Sequence, residues 1–538
     1  MASVALANIV GTSSGPAIAA ELAPYVSAAK PITDELGRIQ VIIDFTDTAH
    51  MKYPGKLPTM PTKENIAVRK GVEFFHTEKT LALVADYEKR FGFTRTGMTS
   101  WVGSSVTAFV YADTVKRLLS DPLVRQVSDN QYDQISAAAV LCSAGNPQPC
   151  VTNPPSWFDT TLSGGEVDSW GRKAVNGKVY NPSNGNNGRK IYIIDGGVAL
   201  HDDLPNMVRL NVACGSSGNC NAMDPYTYPL TGCYAHATHV AGIIGAKAGN
   251  GKTVQGAYAG FPNMVSLNRN KRAPASANNC TANNTGTDDN QGYALDYIAW
   301  DATYNNYNRM VHIATMSSNG WGPGGVNYFY GNAGPNWYRV KSITTTIWAY
   351  GIPIQPGVFF VQSAGNFDGS VSAEACENAY KPSQTSNALT DDGVMVVGAV
   401  HKSGAAVSPS SFFTPSTMTG PVRYSNWGPC VDIWAPGDKI VSTWGQNNSA
   451  YSPLILASVP NTVEGQQYTG NVPATQGWAY LSGTSMAAPF VAAAAAWLAD
   501  TYGITTPAAL EVKVRAHSFQ YNSNTDNLGY PVNVVQLP

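Results

Sequence analysis

The chain has 538 residues, only 13% of them charged, and a formal net charge of −2 from 34 Lys and Arg against 36 Asp and Glu. That balance excludes a basic surface for nucleic acid or an anionic membrane, and no apolar run reaches the roughly 18 residues of a spanning helix. A chain this long allows more than one domain, and its 51 Gly, 34 Pro and 27 Tyr imply a loop-rich, uncharged surface over an ordinary core.

Residues 1–36 are Ala- and Ser-rich and carry no assignable chemistry. The first twenty lack a basic n-region and a compact apolar h-region, so they do not read as a signal peptide. Residues 38–45 (RIQVIIDF) read as a strand, 80–91 as an amphipathic helix, 100–111 as a strand, 112–119 as a helix and 124–130 as a final strand. This succession over 37–136 suits a small α+β sandwich of ferredoxin-like type. Residues 137–189, with Cys142, Cys150, Pro-rich loops and the run NPSNGNNG, read as a linker and a loop-rich entry to the next domain.

From Arg189 the pattern is α/β. Apolar strands at 190–194, 311–316, 357–362 and 394–400 alternate with helical stretches at 236–246 and 293–304. Continuous apolar strands between helices imply a doubly wound, mostly parallel sheet covered on both faces, whose sites lie beyond the carboxyl ends of its strands. Asp195 and Asn366 both fall at such ends. Residues 480–500 (YLSGTSMAAPFVAAAAAWLAD) predict a glycine turn feeding an Ala-rich helix, with Pro489 in the first turn. Ser485 then lies at a helix N-terminus, where a hydroxyl is either a cap or a nucleophile. The second role needs a base and an acid to orient it. Asp195 ends a strand, and His236-Ala237-Thr238-His239 opens a helix. Two histidines three residues apart also suit a metal, but no third ligand or water-activating Glu is near.

The order Asp195, His236, Ser485, with IDGGV at 194–198, HATHVAG at 236–242 and GTSMAAP at 483–489, resembles the subtilisin-like serine proteases. Two further blocks, Ser363-Ala364-Gly365-Asn366 and Ser425-Asn426-Trp427-Gly428, are similar to the family's oxyanion asparagine motif and its S-N-x-G segment. The likeness covers about 190–538, and the surroundings of the cysteines look most like the proteinase K and aqualysin branch. It implies that Ser485 is the nucleophile, His236 its base and Asp195 the group that holds the imidazole. The Asn366 amide and the Ser485 N–H would form the oxyanion hole, and His239 would be structural. Ser317, Ser318, Asn319 and Gly320 would form the edge to which peptide adds, facing Ser363, Ala364 and Gly365. Small, uncharged walls then imply a broad apolar or aromatic P1 preference. Ala237 departs from the family's usual Gly, and 321–350 and 447–478 read as insertions.

The eight cysteines form no CxxC, and their even number predicts four disulfides in an oxidising compartment. The resemblance implies Cys233–Cys280 and Cys376–Cys430, with Cys142–Cys150 and Cys214–Cys220 as local loops. It also implies a structural calcium, for which Asp203 and Asn250 are the candidate ligands despite Lys252 beside them; catalysis needs no cofactor. The 37–136 segment is similar to the family's prodomain, an intramolecular chaperone and inhibitor, so that 137–538 would be the peptidase domain of a zymogen cut between about Gln131 and Ala139. The expectation is a secreted, monomeric serine endopeptidase acting on protein or peptide substrates, with its own prodomain as inhibitor and neither nucleic acid nor membrane as partner. The alternatives are a transpeptidase or macrocyclase on the same scaffold, and a catalytically silent binding protein.

Overall fold

A computed structural model describes residues 32–46, 65–100, 104–130, 134–135, 160–161, 166–184, 188–212, 235–268, 288–304, 310–319, 337–344, 347–349, 352–355, 357–365, 391–400, 425–438, 440–444, 477–481, 483–525 and 529–538. The N-terminal unit runs β1 (Ile39–Phe45), α1 (Asn65–Phe91), β2 (Arg95–Thr99), β3 (Ser105–Val110), α2 (Ala112–Leu119) and β4 (Val124–Asp129). Its sheet has the order β2-β3-β1-β4, antiparallel throughout. Ile39, Val41, Ile43 and Phe45 of β1 face Val84 and Tyr87 of α1 and Val115 and Leu118 of α2 in one apolar core.

Two predictions for this unit need correction. The first helix begins at Asn65 rather than at residue 80. Its first turn has no acidic residue, and Gly71 interrupts the early pattern, so nothing local marks its start. The single strand expected over 100–111 is the second arm of a hairpin. Its partner, β2, escaped notice because Gly97 sits at a register shift that breaks the alternation.

The larger unit follows a two-residue strand β5 (Gln134–Ile135) and a short helix α3 (Trp170–Ala174). Trp170 is wholly buried in the main core, so 137–189 contributes packing as well as loops. The remaining elements used below are β6 (Ile191–Asp195), β7 (Val208–Asn211), α4 (Ala235–Gly245), β8 (Met264–Asn268), α5 (Asp288–Tyr304), β9 (His312–Met316), β10 (Ser318–Asn319), α6 (Trp337–Thr344), β11 (Val358–Ser363), β12 (Val394–Val400), β13 (Ile433–Pro436), β14 (Ile440–Trp444), β15 (Gly477–Leu481), α7 (Thr484–Tyr502), α8 (Pro507–Ala516), β16 (Ser518–Thr525) and β17 (Pro531–Val535). The sheet order is β7-β8-β6-β9-β11-β12-β13-β17-β16, parallel except for the last pair.

Strand alternation divides this sheet cleanly. Ile191, Ile193, Ile313, Phe359, Val361, Met395 and Val397 share a core with α4, α7 and α8. Tyr192, Ile194, Ala314, Phe360 and Val394 point the other way, against Leu295 and Ile298 of α5 and Val340 and Ile343 of α6. The predicted insertion at 321–350 therefore includes a framework helix. The parallel step from β9 to β11 requires a crossover, and α6 covers the sheet there. α7 is buried on nearly all sides from Thr484 to Ala499, and its alanines let it lie close against the strands.

Candidate active site

Three elements deliver the expected trio to the carboxyl edge of the sheet. Asp195 is the last residue of β6, His236 the second of α4 and Ser485 the second of α7. All three side chains are buried. His236 Nδ1 lies 2.8 Å from Asp195 Oδ2, and Asp195 Oδ1 accepts the Gly196 N–H at 2.5 Å. A carboxylate fixed on both oxygens holds the ring with Nε2 directed elsewhere. That Nε2 is buried without a hydrogen bond among the described residues.

Ser485 does not cap its helix. The N-cap is Gly483, whose φ of +152° and N–H donation to Gly437 O at 2.7 Å form the turn that lifts the next two residues to the sheet edge. The Ser485 hydroxyl donates to the Ser317 carbonyl at 2.9 Å, and the Ser317 hydroxyl donates to the Ser485 carbonyl at 3.1 Å. Pro489 explains why that carbonyl is available. It is the sixth residue of α7, not in the first turn as predicted, and it has no N–H to offer the carbonyl four residues earlier. In this state the serine is oriented toward Ser317 rather than bonded to His236.

The supports of α4 are tight. His239 Nε2 lies 3.0 Å from the Ile440 carbonyl, which fits a structural role, and the Ser442 and Thr443 hydroxyls each donate at 2.7 Å to the carbonyls of His239 and Thr238. A Cβ on Gly242 would lie 2.9 Å from Thr443 N, so glycine there lets β14 approach the helix. Ala237, which replaces a glycine in the resemblance, is buried in the apolar core. The Thr484 hydroxyl accepts the Gly365 N–H at 3.2 Å, and Asn426 holds the Ala364 and Gly365 carbonyls at 2.9 Å each. Ser363 ends β11 beside them.

β10, with Ser318 and Asn319, pairs antiparallel with β5 of the preceding segment: Ser318 with Ile135 and Asn319 with Gln134. An extended stretch of the chain itself thus occupies the edge expected to take peptide.

Gly320, Asn366 and the cysteines at 142, 150, 214, 220, 233, 280 and 376 lie outside the described residues. Cys430 is buried and disulfide-bonded.

The pair expected to hold calcium does not fit that use. Asn250 Nδ2 donates to Asp203 Oδ1 at 2.6 Å, while Thr253 Oγ1 and the Val254 N–H donate to Asp203 Oδ2. Asn250 Oδ1 accepts the Lys252 N–H at 2.9 Å, which fixes the amide with its donor toward the carboxylate. Donors from the chain therefore fill the positions a cation would need. Lys252 Nζ pairs with Asp202 at 2.7 Å. Among the described residues no group of three or more His, Cys, Asp or Glu could hold a metal ion.

The fold and this arrangement define a class. The model of the subtilase family (peptidase S8) matches residues 186–525, more than half of the chain. The chain belongs to the subtilase family of serine peptidases. It is 26% identical to alkaline protease 1 of Aspergillus clavatus over 366 residues, covering 66% of this chain and 65% of that one. It is 30% identical to a cuticle-degrading protease of Metarhizium anisopliae over 161 residues, covering 28% and 34% respectively. The chain thus spans from a third to just under two thirds of the length of these relatives. Among solved structures, fervidolysin of Fervidobacterium pennivorans, described as a keratinolytic enzyme related to subtilisin, matches with 17% identity and a TM-score of 0.50, covering 92% of this chain and 60% of that one. At that identity the likeness bears on the fold alone.

Proposed function

We propose that the chain is a secreted serine endopeptidase made as a zymogen, with 37–136 as a ferredoxin-like prodomain and 137–538 as the peptidase domain. The observation that carries the chemistry is the 2.8 Å bond between His236 Nδ1 and Asp195 beside the helix terminus that bears Ser485. Ser485 Oγ turns off the Ser317 carbonyl and attacks the substrate carbonyl as its proton passes to His236 Nε2. The imidazolium then gives that proton to the leaving amine as the C–N bond breaks, leaving an acyl-enzyme that water hydrolyses by the same exchange. Asp195 keeps the tautomer and stabilises the imidazolium. The Ser485 N–H, at the positive end of α7, and the Asn366 amide stabilise the oxyanion. No step runs through calcium.

The small residues Ser363, Ala364 and Gly365 opposite the β10 edge support a broad apolar or aromatic P1 preference. Secretion is supported by the disulfide at Cys430, and no helix among the described residues is long and apolar enough to cross a membrane. The strand order β2-β3-β1-β4 and the pairing of β5 with β10 support the prodomain reading, with the tail added to the sheet edge as a substrate would be. Self-cleavage then falls between about Gln131 and Ala139, in the stretch that contains the paired β5.

An organofluorophosphonate that modifies Ser485 in the processed protein, and leaves Ser485→Ala untouched, is the decisive test. No labelling of the native serine overturns the assignment. N-terminal sequencing after activation is expected to show a new end between about Gln131 and Ala139, and peptide-library profiling then fixes P1.

A further inference from the structure

The N-terminal sheet buries both of its faces, and the second burial is unusual. Alternation along β1 turns Gln40, Ile42 and Asp44 away from the unit's own helices. With Thr107, Gln126, Ser128 and Asn130 they make a mostly polar face. An antiparallel sheet with one apolar face ordinarily leaves such a face to water. Here it is nevertheless buried, and its polar groups reach the helices that cover the larger sheet. Asn130 Oδ1 accepts the Asp289 N–H at 3.1 Å, the Thr107 hydroxyl lies 3.4 Å from the Tyr293 hydroxyl, and the Ser100 N–H donates to Asp296 at 3.2 Å.

One charged contact stands at the centre of this face. Arg339 of α6 pairs with Asp44 of β1 at 3.0 Å, the two side chains being only 3% and 9% exposed. The same guanidinium donates to Thr99 Oγ1 at 3.3 Å and to Ser105 Oγ. Gln126 Nε2 donates to the other Asp44 oxygen at 2.9 Å. The cluster draws its acceptors from β1, β2 and β3 and its guanidinium from the other unit. Burial pushes the Asp44 carboxyl up despite the charges of Arg339 and Arg125, so the pair stabilises docking less than its distance suggests. Removing one partner has a different consequence, because it strands the other charge away from water.

We infer that Arg339 and Asp44 form a recognition lock by which the α5–α6 surface selects its own N-terminal domain. The partner that fits is a polar sheet face carrying one carboxylate opposite Arg339, with hydroxyls on the two flanking strands. A sheet of the same shape without that carboxylate leaves Arg339 desolvated and unpaired, so the lock excludes wrong partners more than it tightens the right one. This inference rests on reading 37–136 as a prodomain, but its test does not depend on peptidase activity.

The experiment uses the full chain carrying Ser485→Ala, so that no self-cleavage intervenes, and follows amide hydrogen exchange. Asp44→Leu or Arg339→Met alone is expected to speed opening of β1, β3 and β5 about a hundredfold, with α7 unchanged. The two together are expected to return exchange to within tenfold of the parent, as is the charge swap Asp44→Arg with Arg339→Asp. Protection of α7 shows that the larger unit remains folded in every variant. Protection of β1 and β3 in the double variant shows the same for the N-terminal unit. Singles that leave exchange unchanged, or singles that add without rescue in the double, overturn the lock. Failure of Ser485 to take the fluorophosphonate would instead overturn the peptidase reading and leave these outcomes intact.

Discussion

In the nine-stranded sheet, Ile191 and Ile193 face one layer of helices and Tyr192 and Ile194 the other, so both surfaces are closed by apolar contacts. In the four-stranded sheet only the surface formed by Ile39, Val41, Ile43 and Phe45 is closed that way. Its second surface, with Gln40 and Asp44, is closed by hydrogen bonds and one buried ion pair to the larger unit. The difference teaches what each burial is suited to. An apolar layer is stable only while covered, whereas a polar face can be returned to water, where its groups regain hydrogen bonds. The first surface belongs to a permanent core, and the second suits a domain that separates from the one it covers.

The sharpest way to test the division of labour is Ser485→Ala. It is expected to lower turnover of a chromogenic peptide about 10⁶-fold while the thermal midpoint of the larger unit stays within a few degrees. Residual activity within tenfold of the parent would mean that the chemistry lies elsewhere.

Acid should attack the apolar-sided sheet at a definite place. His312 in β9 is fully buried and its Nδ1 accepts the Lys190 N–H at 3.0 Å. Burial first, with Arg189 adding to it, pushes this imidazole down to about 3. A histidine whose folded value lies below its unfolded value of about 6.5 contributes full stability above that pH. The contribution falls by about 1.4 kcal/mol per pH unit from there down to about 3. Unfolding free energies from denaturant titrations at pH 7 and 4.5 should therefore differ by about 3 kcal/mol from this residue, and His312→Asn, which keeps an acceptor, should remove most of that difference. An unchanged difference would assign acid sensitivity to other groups.

Gly242→Ala probes packing at the seam of α4 and β14. Its Cβ would meet Thr443 N at 2.9 Å, and a destabilisation of about 1–3 kcal/mol is expected in the larger unit alone. The smallest effect belongs to the polar interface. Asn130→Ala loses the Asp289 contact and the 3.0 Å bond to Gln40. It should weaken docking by about 1–2 kcal/mol without moving the unfolding of the nine-stranded unit. A larger loss in the latter would erase the distinction between the two surfaces.

Much of the larger unit is legible in the chain. A parallel strand covered on both sides must be apolar along its whole length, so 394–400 is found with its bounds intact and 311–316 within a residue. An alanine run after a glycine turn predicts α7 for the same local reason, and Asp195, His236 and Ser485 stand out because each sits at the end of such an element. What the sequence leaves hidden is what depends on distant partners. β2 lacks a local pattern and exists as a strand because β3 pairs with it. β16 and β17 are likewise completed by each other. The direction of the Ser485 hydroxyl follows from the placement of Ser317 and from the missing N–H of Pro489. Arg339 and Asp44 are 295 residues apart in the chain, and neither position marks the other in composition or periodicity. The sequence by itself determined the elements with a strong local pattern and the candidate reactive residues, because propensity, burial pattern and motif are local. Only the tertiary structure decided which buried polar groups meet, because a charge inside a protein is tolerable only beside a partner that the fold brings to it.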